Sequence, residues 1–176
     1  MHPADILTRR LHLVAITPAA LHSEQSNDDR LGLILQAAIP ENWPPADWEP
    51  HVFTILLAQY EKHPQQIAWH RYLCLRNPDQ TRTLIGAAGA FWRETSPAEC
   101  EIGYSVLSPW EGKGFATEAA QALIANIRLD PKIENIIAHT FPHLTASIRI
   151  MEKCGLTPDG EGEEPGTIRY RLRLNS

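Results

Sequence analysis

The stretch Glu99–Ile127, ECEIGYSVLSPWEGKGFATEAAQALIANI, decides how the chain is read. Cys100, Ile102, Tyr104 and Val106 alternate with Glu99, Glu101, Gly103 and Ser105, the period of a pleated strand. Pro109 stops it. Glu111-Gly112-Lys113-Gly114-Phe115-Ala116-Thr117 follows and opens a helix. Its apolar stripe is Phe115, Ala116, Ala119, Ala120, Leu123, Ile124 and Ile127. Asp130-Pro131 predicts its end.

The physics of that junction is anion binding. The first N–H groups of a helix have no intrahelical acceptor, and the helix dipole adds partial positive charge. Gly112 and Gly114 let the backbone approach a ligand closely. A phosphate or pyrophosphate fits such a nest, although glycine also serves an ordinary strand-to-helix turn. A Walker A loop is excluded, because its Gly-Lys-Ser/Thr end is absent. A dinucleotide fingerprint is excluded too, because Thr117 stands where its third glycine belongs.

Working outward, the chain of 176 residues is read as one domain, 1–176, with 43% hydrophobic and 21% charged residues, ordinary values for a globular protein. The net charge of −5 gives no basic face for nucleic acid. No segment is apolar enough to span a membrane and no N-terminal run resembles a signal peptide. Cytoplasm is therefore expected. Cys74, Cys100 and Cys154 have no metal or redox spacing and read as reduced thiols.

Arg10–Ile16 predicts a strand. Thr17-Pro18 predicts a capped helix start. Further helices are expected after Asp28 and over Val52–Lys62, separated by the proline-rich PENWPPADWEP with Trp43 and Trp48. Ala68–Leu75 and Leu84–Trp92 read as strands about a turn at Asn77-Pro78-Asp79. They form an antiparallel meander with the strand from Glu99. Ile136–Phe141 reads as a short buried strand. Thr145–Cys154 reads as a helix that Gly155 caps, and Thr167–Leu174 as a half-buried last strand. The fold class is α/β (α+β).

E-I-G-Y followed by G-K-G-F-A-T-E-A resembles the central motif of the GNAT superfamily of N-acetyltransferases. Thr145-Ala-Ser-Ile-Arg-Ile-Met-Glu-Lys-Cys-Gly-Leu156 is similar to that family's second cofactor segment. Leu7-Thr8-x-Arg10-Leu11-x-Leu13 resembles the opening of its ribosomal-protein N-terminal acetyltransferase branch. The resemblance implies a mixed, mostly antiparallel sheet with helices on both faces. It also implies a bulge at Gly103, splaying the strand to admit acetyl-CoA. The expected reaction is acetyl transfer to a primary amine, by direct attack in a ternary complex. No metal is expected, and a homodimer is plausible. A slow or non-catalytic acyl-CoA sensor and a transferase for a small cationic amine are the rival readings.

Acetyl transfer needs a base for the ammonium, a donor for the thioester oxygen and a fixed geometry. Backbone groups near Val106 and Leu107 are expected to meet the cofactor arm. Glu111, Gly112, Lys113, Gly114, Phe115, Ala116 and Thr117 are expected to meet its pyrophosphate, with Leu144 and Ser147 on the second segment. Glu101, in expected apolar surroundings, is the candidate base or an orienting group. Ser147 is the candidate acid or a donor to the thiolate. Three departures stand out. Glu111 replaces Arg or Gln, with Lys113 as compensation. Leu144 replaces Asn, and Met151 replaces a tyrosine. His139 and His143 have a spacing seen in zinc sites but no further ligand motif. His51 and His70 are candidates for the acceptor pocket, with Trp43, Trp48, Trp69 and Trp92 as wall or core.

Overall fold

A computed structural model describes residues 5–26, 28–45, 50–93 and 95–174. Eight strands form one sheet in the order β1-β2-β3-β4-β5-β6-β8-β7. They are β1 (Ile6–Leu7), β2 (Leu11–Ala15), β3 (His70–Arg76), β4 (Arg82–Trp92), β5 (Glu99–Val106), β6 (Asn135–Thr140), β7 (Thr157–Glu161) and β8 (Ile168–Arg173). The pairs are antiparallel except β5–β6. The helices are α1 (Pro18–Gln25), α2 (Arg30–Leu35), α3 (Pro50–Lys62), α4 (Phe115–Ile127) and α5 (Thr145–Lys153).

All five residues of β2 are buried, because the sheet is covered on both faces. On one face Leu11, Leu13, Cys100, Ile102 and Ile136 pack with Phe115, Ala119, Leu123 and Ile127 of α4 and Met151 of α5. On the other, Val14, Tyr72, Cys74 and Leu84 pack with Leu21 of α1, Leu31 and Leu35 of α2, and Phe53, Leu56 and Tyr60 of α3. The alternating strand pattern assigns successive side chains to these two cores.

Local signals explain the element ends. The Thr17 hydroxyl accepts the Ala20 N–H, and Pro18 opens α1. Gly155 takes φ +87° after α5, and Leu156 N–H reaches back to Met151 O at 3.0 Å. The short edge strands β1 and β7 lie outside the sequence reading. The C-terminal strand β8 lies between β6 and β7, so it is not an exposed edge. That removes one argument for self-association.

Candidate active site

The β5–β6 ladder ends early. Glu99, Cys100 and Glu101 pair with Asn135, Ile136 and Ile137, and beyond Glu101 the two strands part. The expected bulge at Gly103 is not how this happens. The β4–β5 register runs unbroken from Gly86↔Val106 through Gly89↔Gly103 to Trp92↔Cys100. The gap opens by divergence of β6 while β5 stays on β4. Gly86 lets the two backbones close up, since a Cβ there would run into the Ser105 carbonyl oxygen.

Ladder parity then sorts the backbone groups. Leu107 N–H donates to Ile85 O at 2.8 Å, and Leu107 O accepts from Trp110 N–H. Odd-numbered β5 residues thus bond to β4, and even-numbered ones aim N–H and C=O at the gap. Val106 faces the gap and Leu107 does not. The reason is the alternation, which a sequence shows without its phase.

The loop after β5 ends at α4. Gly112 and Gly114 adopt φ +70° and +79°, and Gly114 is the N-cap, with no side-chain cap. The first helical bond is Glu118 N–H to Gly114 O. The amides from Gly112 to Thr117 have no acceptor among the described residues. Free amides at a helix start can form a cradle for an anion.

The cations around the cradle differ from expectation. The Lys113 ammonium folds back onto Pro109 O at 2.7 Å. Arg10 is the closer group: its guanidinium lies 4.3 Å from the Phe115 ring centroid and donates to Lys113 O at 2.9 Å. An open cleft of about 390 Å³ beside Gly114 and Thr117 is walled by Arg9, Arg10 and Lys153. Glu111 is exposed and has no ion pair among the described residues.

Glu101 is not in apolar surroundings. Its carboxylate meets Arg93 Nη1 at 3.0 Å and His139 Nδ1 at 2.7 Å. Arg93 also binds Glu163. His139 was absent from the acid–base reading, yet β6 places it on the face of the sheet that carries Glu101. Its Nε2 is buried without a partner among the described residues. No local sequence signal marks it, because its place follows from the β5–β6 pairing that ends two residues earlier at Ile137. The cleft here is about 350 Å³, lined by Glu101, His139, Leu144, Glu163 and Glu164. His143 stacks on Phe141 instead, and no group of three metal-binding side chains occurs among the described residues.

Ser147 is half-buried in the first turn of α5, and its carbonyl accepts the Tyr104 hydroxyl at 3.3 Å. Tyr104 thus brings a phenol to this helix. Burial, opposed by the Ser147 contact, raises its pKa. Met151 is buried in the core, and Leu144 is an exposed N-cap without a side-chain bond. Among the other candidates, Trp69 packs in the α4 core, and Trp43 and Trp92 donate to Glu24 and Pro97 O. Trp48 and the side chain of His51 lie outside the described residues. Cys74, Cys100 and Cys154 are free thiols, and burial pushes them up to about 12, 12 and 11.

The acetyltransferase (GNAT) domain family model matches residues 10–157. The [ribosomal protein uS5]-alanine N-acetyltransferase of Escherichia coli is 28% identical over 127 residues, covering 68% of this chain and 59% of that protein. The chain thus spans about three-fifths of the length of the curated relatives it matches. The ribosomal-protein-S5-alanine acetyltransferase of Vibrio fischeri superposes with TM-score 0.64 at 17% identity, over 98% of this chain and 97% of that one. A ribosomal L7/L12 α-N-protein acetyltransferase in complex with coenzyme A superposes with TM-score 0.63 at 14% identity, over 96% of each. At such identities these two structures speak to fold.

Proposed function

This chain belongs to the GNAT acetyltransferase family, and from that premise we propose that it acts as one domain to transfer an acetyl group from acetyl-CoA to a primary amine. The observation that carries the reading is the row of unpartnered amides from Gly112 to Thr117, next to the gap where β5 leaves β6. The cradle takes the pyrophosphate, with Arg9, Arg10 and Lys153 beside it. Val106 presents its backbone to the cofactor arm. Leu144 and Ser147 border the arm from α5.

Bound acetyl-CoA supplies an activated acyl carbon. The gap-facing N–H groups of β5 are aimed where negative charge develops on the acyl oxygen. Glu101 and His139 act as one unit: the carboxylate orients the imidazole, and the pair accepts the amine proton through water. Arg93 fixes that carboxylate. Ser147 donates to the departing sulfur.

The acceptor we propose is a protein N-terminus, supported by the likeness to the uS5-alanine enzyme. The place of action is the cytoplasm, consistent with three free thiols; no helix among the described residues is long and apolar enough to cross a membrane. A homodimer stays part of the proposal, and light scattering at high micromolar concentration tests it. The decisive experiment is thiol release from acetyl-CoA with an N-terminal peptide, a polyamine and no acceptor. Release with the peptide supports the reading. Coenzyme binding without release to any amine overturns it in favour of a sensor.

A further inference from the structure

On the α3 side of the sheet, β4 and β5 share a bare patch. Gly89 and Gly103 are register partners. A Cβ on Gly103 would meet nothing within 4 Å. Above the patch lies a cavity of about 180 Å³, walled by Ile16, Val52, Leu56, His70 and Phe91. None of its described lining residues is an acid or a permanent cation.

His70 closes one side. It is 2% exposed and its ring rests on Gly89, where a Cβ would come within 2.6 Å of Cδ2. Its Nδ1 lies 3.2 Å from Gln66 O. A carbonyl only accepts, so Nδ1 carries the proton and Nε2 keeps a lone pair. That Nε2 is buried and has no partner among the described residues. Tyr60 and Phe91 flank the ring at 5.7 and 5.1 Å. A buried lone pair without a donor costs stability unless something fills the site.

We propose that this cavity seats the first residue of an acceptor polypeptide, with His70 Nε2 accepting a hydrogen bond from one of its backbone N–H groups. The inference rests on the acetyl-transfer reading. Gly103 lies on the strand that borders the gap, so a residue seated on it holds its amine at the gap's edge. Adjacent strands are about 4.8 Å apart. His70 stands on β3, two strands from Gly103, so it positions the acceptor and does not reach the reacting carbon. The volume suits a small side chain such as Ala or Ser. A polyamine would find no carboxylate here, because the acids lie in the separate cleft of Glu101, Glu163 and Glu164.

The test uses Gly103→Val and His70→Gln in the full chain. Gly103→Val keeps the fold, since its side chain enters open space on a strand. Three quantities are measured: coenzyme A affinity, calorimetric affinity of the CoA-loaded protein for a peptide starting with Ala, and acceptor KM and kcat. Expected is a weakening of peptide binding and a rise in acceptor KM of roughly tenfold or more in both variants. Coenzyme affinity should stay within about twofold, since neither side chain touches the amide cradle. A peptide starting with Leu should bind the wild type less well than one starting with Ala. Acceptor KM and peptide affinity unchanged in Gly103→Val overturn the proposal, as does loss in Glu163→Gln alone. Peptide binding lost in Gly103→Val without any acetyl transfer by the wild type keeps the site and overturns the enzymatic reading. No peptide binding by the wild type overturns the proposal, while thiol release with a polyamine in that case keeps acetyl transfer to an amine.

Discussion

Glu118, in the first turn of α4, holds the N-terminal segment through Arg10: Arg10 Nε lies 2.7 Å from Glu118 Oε2, and Arg10 N–H donates to Oε1 at 2.8 Å. The Thr8 hydroxyl donates to the same Oε1 at 2.6 Å. Burial would raise this carboxyl, but these partners outweigh it and hold it below the usual range. The same Arg10 covers Phe115 and ties down Lys113 O, so the pair fixes the wall of the amide cradle. Glu118→Ala strips three hydrogen bonds from a half-buried site. The expected loss is about 2–3 kcal/mol, read as a lower urea midpoint with unchanged m-value. Coenzyme affinity should fall in the same variant, because Arg10 loses its anchor.

Gly114→Val tests the cradle directly. Gly114 takes φ +79° and its Cβ would stand 3.5 Å from Arg10 Nη2. A branched residue both strains the backbone, by about 1–2 kcal/mol, and fills the space of an approaching phosphate. Circular dichroism should report a folded domain and calorimetry no measurable coenzyme A binding. Unchanged affinity would take the loop out of the site.

The residues that made the fold legible are those whose chemistry is local. Thr17-Pro18 announced α1, Gly155 ended α5, and the shift from period two to helical spacing at Gly112–Phe115 located β5 and α4. The helix ends at Ile127, three residues before Asp130, where a turn closes through Asn126 O and Ile127 O. What stayed hidden depends on partners far along the chain. β1 and β7 are short and exposed, and only pairing makes them strands. The Arg93 and His139 contacts of Glu101 come from β4's end and β6, so no window of sequence shows them. The free amide of Val106 and the spent one of Leu107 differ only by ladder phase.

Acid should destabilise the protein partly through His70. Burial, opposed by the Gln66 contact and reinforced by Arg71, pushes its pKa down to about 4 from the ordinary 6.5. Between those values the unfolded chain binds more protons than the native one, so stability falls as pH falls. The contribution is fully present above pH 6.5 and lost towards pH 4, by about 3 kcal/mol across the window. The measurement is urea unfolding at several pH values for wild type and His70→Gln. The variant should show a shallower dependence between pH 6.5 and 4. Equal slopes would mean that His70 is not held neutral.

Proton transfer gives the last prediction. Glu101 sits between the Arg93 guanidinium and His139 Nδ1, at 3.0 and 2.7 Å. If carboxylate and imidazole act as one relay, removing either removes the relay. Glu101→Gln keeps the shape but loses the charge that orients the ring and one of the two oxygens that accept from Arg93 and His139. His139→Gln keeps a polar group but loses the base. Each should lower kcat/KM by roughly 10²–10⁴. The double variant should fall no further than the worse single one, because the losses belong to one unit. Ser147→Ala should cost less, about tenfold, since water can protonate a thiolate. Its loss should add to that of Glu101→Gln, because it touches the sulfur and not the amine. Arg93→Met releases one oxygen of Glu101 while leaving His139 in place, so it should change the acidic limb of the pH–rate profile more than the plateau. The measurement is kcat/KM against pH for the four single variants and the Glu101/His139 double variant. A double variant whose loss is the product of the single losses would separate the two residues into independent roles. Wild-type rates in Glu101→Gln with an unchanged acidic limb would move the base to a water held by the gap-facing carbonyls of β5.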